Sequence, residues 1–290
     1  MHPAPSIIAF TVLSGLGFGL IFWLGLGFPY GDGWIAATFC ALAIGLTSAG
    51  LLSSLAHLGQ PTRFLKAFSQ WRSSWLSREA VLAVATLVTF GVYGALWSFG
   101  IRLAQLGMIA SILAIVTVYC TAMIYAQMRS VPRWRSPFTP AIFLISTLAG
   151  GALLAGQGVA AAWLLVALAA AQIADWLLGD RRLATSGTTL ATATGLGAFG
   201  TPRLLEPPHT GGNYLLREMV HVVGRAHARK LRLIGLALAA LFPVGLLTAF
   251  PVGHAVAGVA VLSHVSGMIV IRWLFFAQAE HVVGFYYGRR

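Results

Sequence analysis

Residues 6–28, SIIAFTVLSGLGFGLIFWLGLGF, form an uninterrupted apolar stretch that carries no charged side chain. A helix of about 20 apolar residues is long enough to cross the hydrocarbon layer of a membrane. Similar stretches recur along the 290 residues, of which 58% are hydrophobic and only 9% are charged. Soluble domains carry roughly 25% charged residues. The sequence therefore predicts an all-α integral membrane protein.

Eight apolar stretches predict eight transmembrane helices in a single membrane domain that covers residues 1–290. The predicted spans are residues 6–28, 33–56, 77–99, 103–126, 138–157, 158–178, 231–250 and 254–276. The fifth and sixth spans are separated only by the turn that Gly156, Gln157 and Gly158 are expected to form. An even number of crossings places both termini on the same side of the membrane.

The distribution of Lys and Arg predicts which side this is. In the eight-helix arrangement, every Lys and Arg except Arg102 falls on the side of the termini. Cytoplasmic loops are enriched in these residues, so both termini and all the long loops are predicted to be cytoplasmic. The net charge of +12 follows from this bias and does not require a nucleic-acid partner.

Residues 179–230 form a long cytoplasmic loop between the sixth and seventh predicted spans. Its first part is rich in Gly, Thr and Pro, and its second part, NYLLREMVHVVGRAHARKLR, has helical spacing of apolar residues. With Asn213 as the N-cap, this stretch predicts an amphipathic helix that lies in the membrane interface before span seven. His221 and His227 are six residues apart and face different sides of such a helix, so we expect no metal site there.

The positions of the ionisable residues weigh against two other classes of membrane protein. His264 is the one ionisable residue predicted near the middle of a span, and the carboxylates are placed at or beyond helix ends. A small polytopic transporter, the alternative from another class, carries such groups along its route. A haem needs facing axial ligands, and His264 has no second central His, so no haem is expected. Cys40 and Cys120 are too few for a four-thiolate cluster and are predicted to pack as small apolar residues.

The connection between the second and third spans, AHLGQPTRFLKAFSQWRSSWLSREA at residues 56–80, concentrates polar residues. Ser77 is predicted to cap span three, with Glu79 in its first turn, and His57 is predicted to end span two. The basic residues and tryptophans also fit ordinary interface positions, and Glu79 fits the helix dipole. Alternatively, His57 could donate to a quinone carbonyl and Glu79 could relay a proton. The residues alone leave both interpretations open.

Several motifs resemble those of the membrane anchor subunit of dimethyl sulfoxide reductase and its relatives. They are HLGQPTRFLKA followed by WLSREA, YCTAMIYAQMRSVPRWRSPFTPAIFL, NYLLREMVHVVGRAHARKLR and RWLFFAQAEHVVGFYYG. The resemblance covers nearly the whole sequence, including the count of eight spans. It implies a multi-pass anchor in the bacterial inner (cytoplasmic) membrane that has no catalysis of its own and usually no haem. Its partners would be a molybdopterin catalytic subunit and an iron–sulfur subunit with four [4Fe–4S] clusters.

The resemblance also implies where membrane quinone, either ubiquinone or menaquinone, would bind. The residues that match the motifs are His57 of HLG, Arg63 of the same signature, Glu79 of LS-x-E, Tyr125 of MIY, and Arg272 before the last aromatic run. The partner subunits are expected to dock on the basic cytoplasmic loops, with complementary charge fixing their orientation. The predicted interface residues are Arg129, Arg133, Trp134, Arg217 and Glu218.

The predicted topology favours one reaction within this family. Its anchors serve reductases of exported sulfoxides and also cytoplasmic enzymes that oxidise sulfite. The quinone motif lies on the Lys/Arg-rich side, and the sequence has no haem candidate that could carry electrons across the bilayer. The cluster-bearing partner should therefore be cytoplasmic. The sequence predicts the anchor of a cytoplasmic sulfite:quinone oxidoreductase, with the quinol-oxidising anchor of a sulfoxide reductase as the alternative.

Overall fold

The computed structural model describes residues 2–56, 60–206 and 227–287, which contain helices and no strand. The long helices are α1 (Pro5–Gly25), α2 (Trp34–Leu55), α3 (Trp75–Ser98), α4 (Ala104–Ala126), α5 (Phe138–Leu154), α6 (Gly158–Gly179), α7 (Ala228–Ala249) and α8 (His254–Ala277). All of them except α5 have 21 to 24 residues and are long and apolar enough to cross a membrane. The prediction of an all-α membrane protein is confirmed, with seven candidate spans and the shorter α5.

The helix bounds agree with the predicted spans to within about three residues. The largest differences are at the start of α7, which begins three residues early, and at two helix ends where glycine stops a helix inside an apolar stretch. Helix α1 ends at Gly25, and Gly27 follows with a φ of 92°. Helix α5 ends at Leu154, and Gly156 follows with a φ of 68°. Residues with side chains rarely adopt this left-handed conformation, so the turn is fixed by glycine rather than by a loss of hydropathy.

Helix α1 is the centre of the bundle and packs against α2, α4, α5 and α8. In its most apolar segment 67% of the residues are buried, against 28–50% in the other six candidate spans. Trp23 Nε1 donates to the Leu148 carbonyl of α5 at 3.0 Å. Ser111 Oγ donates to the Phe22 carbonyl at 2.8 Å, and the Tyr93 hydroxyl donates to the Leu24 carbonyl at 3.1 Å. Side chains of α3 and α4 thus add a second hydrogen bond to C-terminal carbonyls of α1 that also accept from backbone N–H groups.

Glycines let α1 approach its neighbours at backbone distance. A methyl group at Gly19 would overlap the Thr147 carbonyl of α5, and one at Gly151 would overlap the backbone of Gly19. Helix α1 makes similarly close contacts with α2 at Gly17 and with α4 at Gly25. Helices in lipid associate through such close packing of small residues, because lipid tails provide no hydrophobic drive between helices.

The outer faces of the bundle carry large apolar side chains that are well exposed, which fits a surface covered by lipid. Examples are Leu52, Val88, Val159, Trp163 and Leu262. Aromatic residues are exposed near the helix ends, where membrane proteins place them at the interface. They include Tyr30, Trp34 and Phe99 at one end of the bundle and Trp71 at the other.

The two ends of the bundle differ in charge. The basic end is defined here by Arg129, Arg133, Arg135, Arg182 and Arg232. It contains the start of α3, the α4–α5 connection, the end of α6, the start of α7 and the end of α8. At the opposite end Asp32 accepts a hydrogen bond from Trp97 Nε1 at 3.1 Å and pairs with Arg102 at 3.2 Å. This placement follows the charge asymmetry of the sequence.

Helix α7 contains one turn of π-helix, Ala237–Leu241, which is followed by Pro243. Proline has no N–H, and the wider π turn shifts the hydrogen-bond register. Side chains of α8 bond to carbonyls in this part of α7. Ser263 Oγ donates to the Leu238 carbonyl at 2.8 Å, and His264 Nδ1 donates to the Ala239 carbonyl at 2.7 Å. His264 therefore has a structural partner in the middle of the bundle.

Shorter elements occupy the basic end. A 3-10 helix, Pro61–Phe68, packs near the start of α3. Two single helical turns, Arg182–Thr185 and Leu190–Thr194, follow α6. The C-terminal 3-10 helix, Val282–Tyr287, bonds back to the α4–α5 connection through Val282 N and the Ser130 carbonyl at 2.9 Å. Most of the predicted interfacial helix lies outside the described residues, which resume at His227 just before α7.

Candidate functional site

Glu79 lies deeper in the bundle than the sequence suggested. The predicted cap at Ser77 is wrong: Ser74 caps α3, its side chain accepts a hydrogen bond from Ser77 N, and Ser77 is buried inside the helix. Both serines suit a cap by residue type, but the helix starts at Trp75 and Glu79 falls beyond its first turn. The Glu79 side chain is only 5% exposed and faces α4. A simple dipole role at the helix end does not account for this burial.

The partner of Glu79 can serve either protonation state of the carboxyl group. Thr121 Oγ1 lies in hydrogen-bond contact with Glu79 Oε1 and is 3.1 Å from the Thr117 carbonyl. When Glu79 is ionised, the hydroxyl donates to the carboxylate. When Glu79 is protonated, the carboxyl donates to the hydroxyl, which in turn donates to the Thr117 carbonyl. The pair can therefore gain and lose a proton without leaving a buried polar group unpaired.

Tyr125 lies one helical turn beyond Thr121, on the same face of α4. Its ring is packed in an aromatic cluster with Trp134, Phe143, Phe275 and Phe276, at centroid distances of 5.3 to 5.8 Å. Trp134 and Phe275 are stacked, with 5.2 Å between centroids and 12° between planes. This aromatic cluster joins α4, α5 and α8 at the basic end and fixes the tyrosine in place.

Arg272 is buried beside the aromatic cluster, with 2% of its surface exposed. Its guanidinium carbon lies 3.6 Å from the centroid of the Phe143 ring, a cation–π contact. Its NH2 group donates to Ser146 Oγ at 3.1 Å, and its Nε has no hydrogen-bond partner among the described residues. A cation at this depth is costly to bury and is a feature of functional sites in membrane proteins.

The structure thus brings three of the predicted quinone residues together in one buried group at the basic end. Glu79 reaches α4 through Thr121, and Tyr125 and Arg272 both contact the Phe143 ring. Arg63 is on the 3-10 helix with an exposed side chain, outside this buried group. His57 lies outside the described residues, just beyond the end of α2 at Leu55.

The residues predicted to meet a partner have different surroundings. Trp134 is 3% exposed and donates to the Phe275 carbonyl at 3.0 Å, so its side chain belongs to the interior. Arg133 binds Asp180 at 2.9 Å and has a side chain that is only 10% exposed. Arg129 is exposed at the surface. Arg217 and Glu218 lie outside the described residues. Of the described residues predicted for docking, Arg129 is thus the one with a free surface.

Asp180 connects the end of α6 to the start of α7 at the basic end of the bundle. Arg232 at the start of α7 binds both carboxylate oxygens of Asp180, with one contact of 2.7 Å, and Arg133 binds from the α4–α5 connection. The hydrogen bonds from Arg232 and Arg133 lower the pKa of the Asp180 carboxyl below its ordinary value, despite the opposing effect of partial burial. This carboxylate stays charged at neutral pH and holds the basic end together.

The sequence placed His264 alone near the middle of a span, but it did not predict that three other ionisable residues are buried. Glu79, Asp175 and Arg272 are all buried within helices, although each is near a helix end. The sequence interpretation gave Asp175 no role, yet it is 8% exposed and its Oδ1 has no hydrogen-bond partner among the described residues. A sequence signal existed: Gln172 and Asp175 are three residues apart and share one face of an otherwise apolar helix.

The described structure defines a multi-pass helical membrane protein with a buried ionisable group at one end. The family model for the dimethyl sulfoxide reductase anchor subunit, DmsC, matches residues 1–174. The protein belongs to this family of anchor subunits.

Individual relatives agree with the family assignment. The protein is 30% identical to a sulfite dehydrogenase subunit of Allochromatium vinosum over 323 aligned positions, which cover 99% of each protein. It is 28% identical to the anaerobic dimethyl sulfoxide reductase protein YnfH of Escherichia coli over 56% of its own length and 59% of that relative. A second anaerobic dimethyl sulfoxide reductase component of Escherichia coli is 28% identical over 38% of this protein and 39% of that one.

Proposed function

We propose that this anchor subunit transfers electrons between a cluster-bearing partner and membrane quinone, at the buried group of Glu79, Tyr125 and Arg272 together with His57. Reduction of a quinone takes up two electrons and two protons. The observation that carries the proposal is the Glu79–Thr121 pair, because it is a buried carboxyl with a partner for both protonation states. A group that must exchange protons at each turnover needs this property.

The remaining residues of the site suit the binding of a quinone headgroup. The Nε–H of Arg272, beside the aromatic cluster, has no partner in the part of the protein that the structure describes, and it can donate to a carbonyl oxygen. Tyr125 is held rigid by four aromatic rings. His57 comes two residues after the last residue of α2 in the sequence, and an imidazole can donate a hydrogen bond and exchange its proton with water. Arg63 is exposed on the 3-10 helix and remains a proposed contact at the edge of the site.

The proposed topology has eight spans with both termini in the cytoplasm. Helix α5 has 17 residues, about 25 Å at 1.5 Å per residue, which is the short limit for a span. It lies against the central helix α1, with its polar start at the basic end and its glycine turn at the other. We therefore count α5 as the eighth span. The basic end then faces the cytoplasm of a bacterial inner membrane.

The proposed partners are a molybdopterin catalytic subunit and a four-cluster iron–sulfur subunit on the cytoplasmic side. Electrons must reach the quinone site from the basic end, because the described residues contain no pair of central histidines for a haem. Exposed Arg129, together with Arg217 and Glu218, remain the proposed contacts, with Arg133 and Trp134 supporting them from inside. Sulfite is the proposed electron donor, since the full-length relative is a sulfite dehydrogenase subunit.

A transporter is less well supported by the described charges. Glu79, Asp175 and Arg272 all lie at the basic end, and the described residues place His264 alone near the middle, bound to a backbone carbonyl. A sulfoxide reductase anchor stays the alternative, because two relatives are named as components of dimethyl sulfoxide reductases. Their alignments with this protein cover 59% and 39% of their lengths.

The test uses inverted membrane vesicles that contain the whole complex. We expect sulfite to drive reduction of decylubiquinone, and His57→Ala to slow this reaction about 100-fold, as loss of a proton-exchanging donor does. Sulfite oxidation by ferricyanide, which bypasses the quinone, should keep its rate. His254→Ala is the matched control, because His254 is exposed at the opposite end of the bundle.

Three results would contradict parts of the proposal. Normal quinone reduction in His57→Ala vesicles would remove His57 from the site. Activity with sulfoxides but not with sulfite would favour the alternative reaction. Protease added to inverted vesicles should digest the partner subunits, and digestion only from the other side of the membrane would overturn the topology.

A further inference from the structure

A narrow cavity lies between α5, α6 and α8 at the basic end. Gln172 and Asp175 of α6 line it, together with Arg272 of α8 and Arg133 of the α4–α5 connection. Its volume of about 20 Å³ is enough for roughly one water molecule. Trp134, Phe143 and Phe275 of the aromatic cluster form part of its wall. The cavity therefore reaches the proposed quinone site from a side that Glu79 does not occupy.

Two buried atoms on the cavity wall lack hydrogen-bond partners among the described residues. They are Asp175 Oδ1, on a residue that is 8% exposed, and Arg272 Nε, on a residue that is 2% exposed. Their needs are complementary, since a carboxylate oxygen accepts and the Nε–H donates. Water can donate to the first and accept from the second. Unpaired polar groups at this depth are costly, so the wall favours a hydrated cavity.

Asp175 lines the cavity together with Arg133 and Arg272, and further charged groups surround it. The charged groups around it are Arg133 from the α4–α5 connection, Arg232 from α7, and Asp180 and Arg182 from the segment after α6. Arg133 lines the same cavity and is partly exposed at its surface end. On the other side, Arg272 belongs both to the cavity wall and to the proposed quinone site. A single water molecule in the cavity could therefore carry a proton from Asp175 to that site.

We propose that Asp175 is a proton-relay residue, which passes protons from the cytoplasm through this hydrated cavity to the Arg272 side of the quinone site. The inference rests on the proposed function. Glu79 on α3 and Asp175 on α6 are separated by α4 and α5. Each carboxyl gives one proton per quinol formed and regains it from cytoplasmic water. Two protons then match the two electrons that the clusters deliver.

The path ends at Arg272. On its far side Arg272 lines a second small cavity toward the middle of the bundle, together with Ser146 and His264. A fixed positive charge between two cavities repels a hydrated proton, and the low dielectric strengthens this repulsion. Protons are therefore drawn from the basic end and are not conducted across the membrane.

The experiment uses the purified whole complex in liposomes, with Asp175→Asn, Asp175→Glu and Gln172→Met variants. Asp32→Asn is the matched control, since it makes the same chemical change at the opposite end of the bundle. Three quantities are measured in each: quinone reduction by sulfite, ferricyanide reduction by sulfite, and binding of the quinone analogue 2-heptyl-4-hydroxyquinoline N-oxide. The binding measurement separates proton delivery from a change in the shape of the site.

We expect Asp175→Asn to slow quinone reduction roughly 10-fold to 100-fold, with ferricyanide reduction and analogue binding unchanged. The loss should be greatest at alkaline pH, where bulk water supplies few protons, and added formate should restore part of the rate. Asp175→Glu should retain most activity. Gln172→Met, which removes a polar group from the cavity wall, should slow the reaction several-fold.

An unchanged rate in Asp175→Asn would overturn the inference. Slow reduction accompanied by weaker analogue binding, with no recovery in formate, would also overturn it and assign Asp175 a structural role. If Asp175→Asn prevents assembly, a wild-type rate in Gln172→Met decides against the path. A wild-type complex that neither reduces quinone nor binds the analogue would instead refute the proposed function itself.

Discussion

Replacing Gly19 by Ala is expected to prevent the helical bundle from forming a stable complex. The added methyl group would overlap the Thr147 carbonyl of α5, and backbone cannot move aside as a side chain can. Forced overpacking of this kind costs about 3 kcal/mol, and here it separates the central helix from α5. The measurements are the yield of folded protein in mild detergent and its thermal unfolding temperature.

Gly45→Ala provides the matched control for this prediction. Gly45 is also in the middle of a span, on α2, but an added methyl group meets nothing within 4 Å. Alanine has the higher helix propensity, so this variant should fold at least as well as the parent protein. Equal stability of the Gly19→Ala and Gly45→Ala proteins would show that α1 does not approach α5 as closely as described.

Replacing Glu79 by Gln is expected to slow quinone reduction by about 100-fold, the usual scale for loss of general acid–base catalysis. Glutamine has nearly the same size, and its amide oxygen can still accept the hydrogen bond from Thr121. It cannot release a proton, so the exchange through Glu79 stops while the packing is kept. The rate of sulfite-driven quinone reduction is measured beside the ferricyanide rate, which should not change.

Two further variants make the Glu79 result specific. Glu206→Gln removes a carboxylate from an exposed segment after α6 and should leave quinone reduction unaffected. Thr121→Val keeps the carboxyl group but removes its hydrogen-bond partner, so it should give an intermediate rate. If Glu79→Gln reduced quinone as fast as the parent complex, Glu79 would be a structural residue of the α3–α4 contact.

The positions of the helices were predictable because the thickness of the bilayer fixes how long an apolar stretch must be. Turns at Gly27 and Gly156 end two of the helices earlier than predicted. Hydropathy did not indicate these ends, because the residues around the turns are as apolar as the helices. The π turn in α7 was not predicted. Pro243 marks its place in the sequence, but only the contacts of Ser263 and His264 show how the freed carbonyls are satisfied.

The candidate site was predictable in part. Family motifs placed Glu79, Tyr125 and Arg272 near one membrane face, and the structure gives them neighbouring positions in a buried group. Their depth was not predictable, because burial depends on which helices pack together, and hydropathy carries no information about helix neighbours. Asp175 was overlooked for the same reason. A carboxylate near a helix end is expected to be exposed to solvent, and only the packing of the neighbouring helices shows that it is buried.

The central position of α1 has a consequence for how the protein is made. Helix α1 is synthesised before α5, which begins about 110 residues after α1 ends, roughly 6 to 22 s later at ordinary translation rates. During that interval its glycine face has no α5 to pack against. The hydroxyls of Thr11 and Ser14 are bonded to carbonyls of α1 itself, at 3.1 and 2.6 Å, so they need no partner from α5. Insertion of α5 is then the step that commits the nascent protein to its final packing.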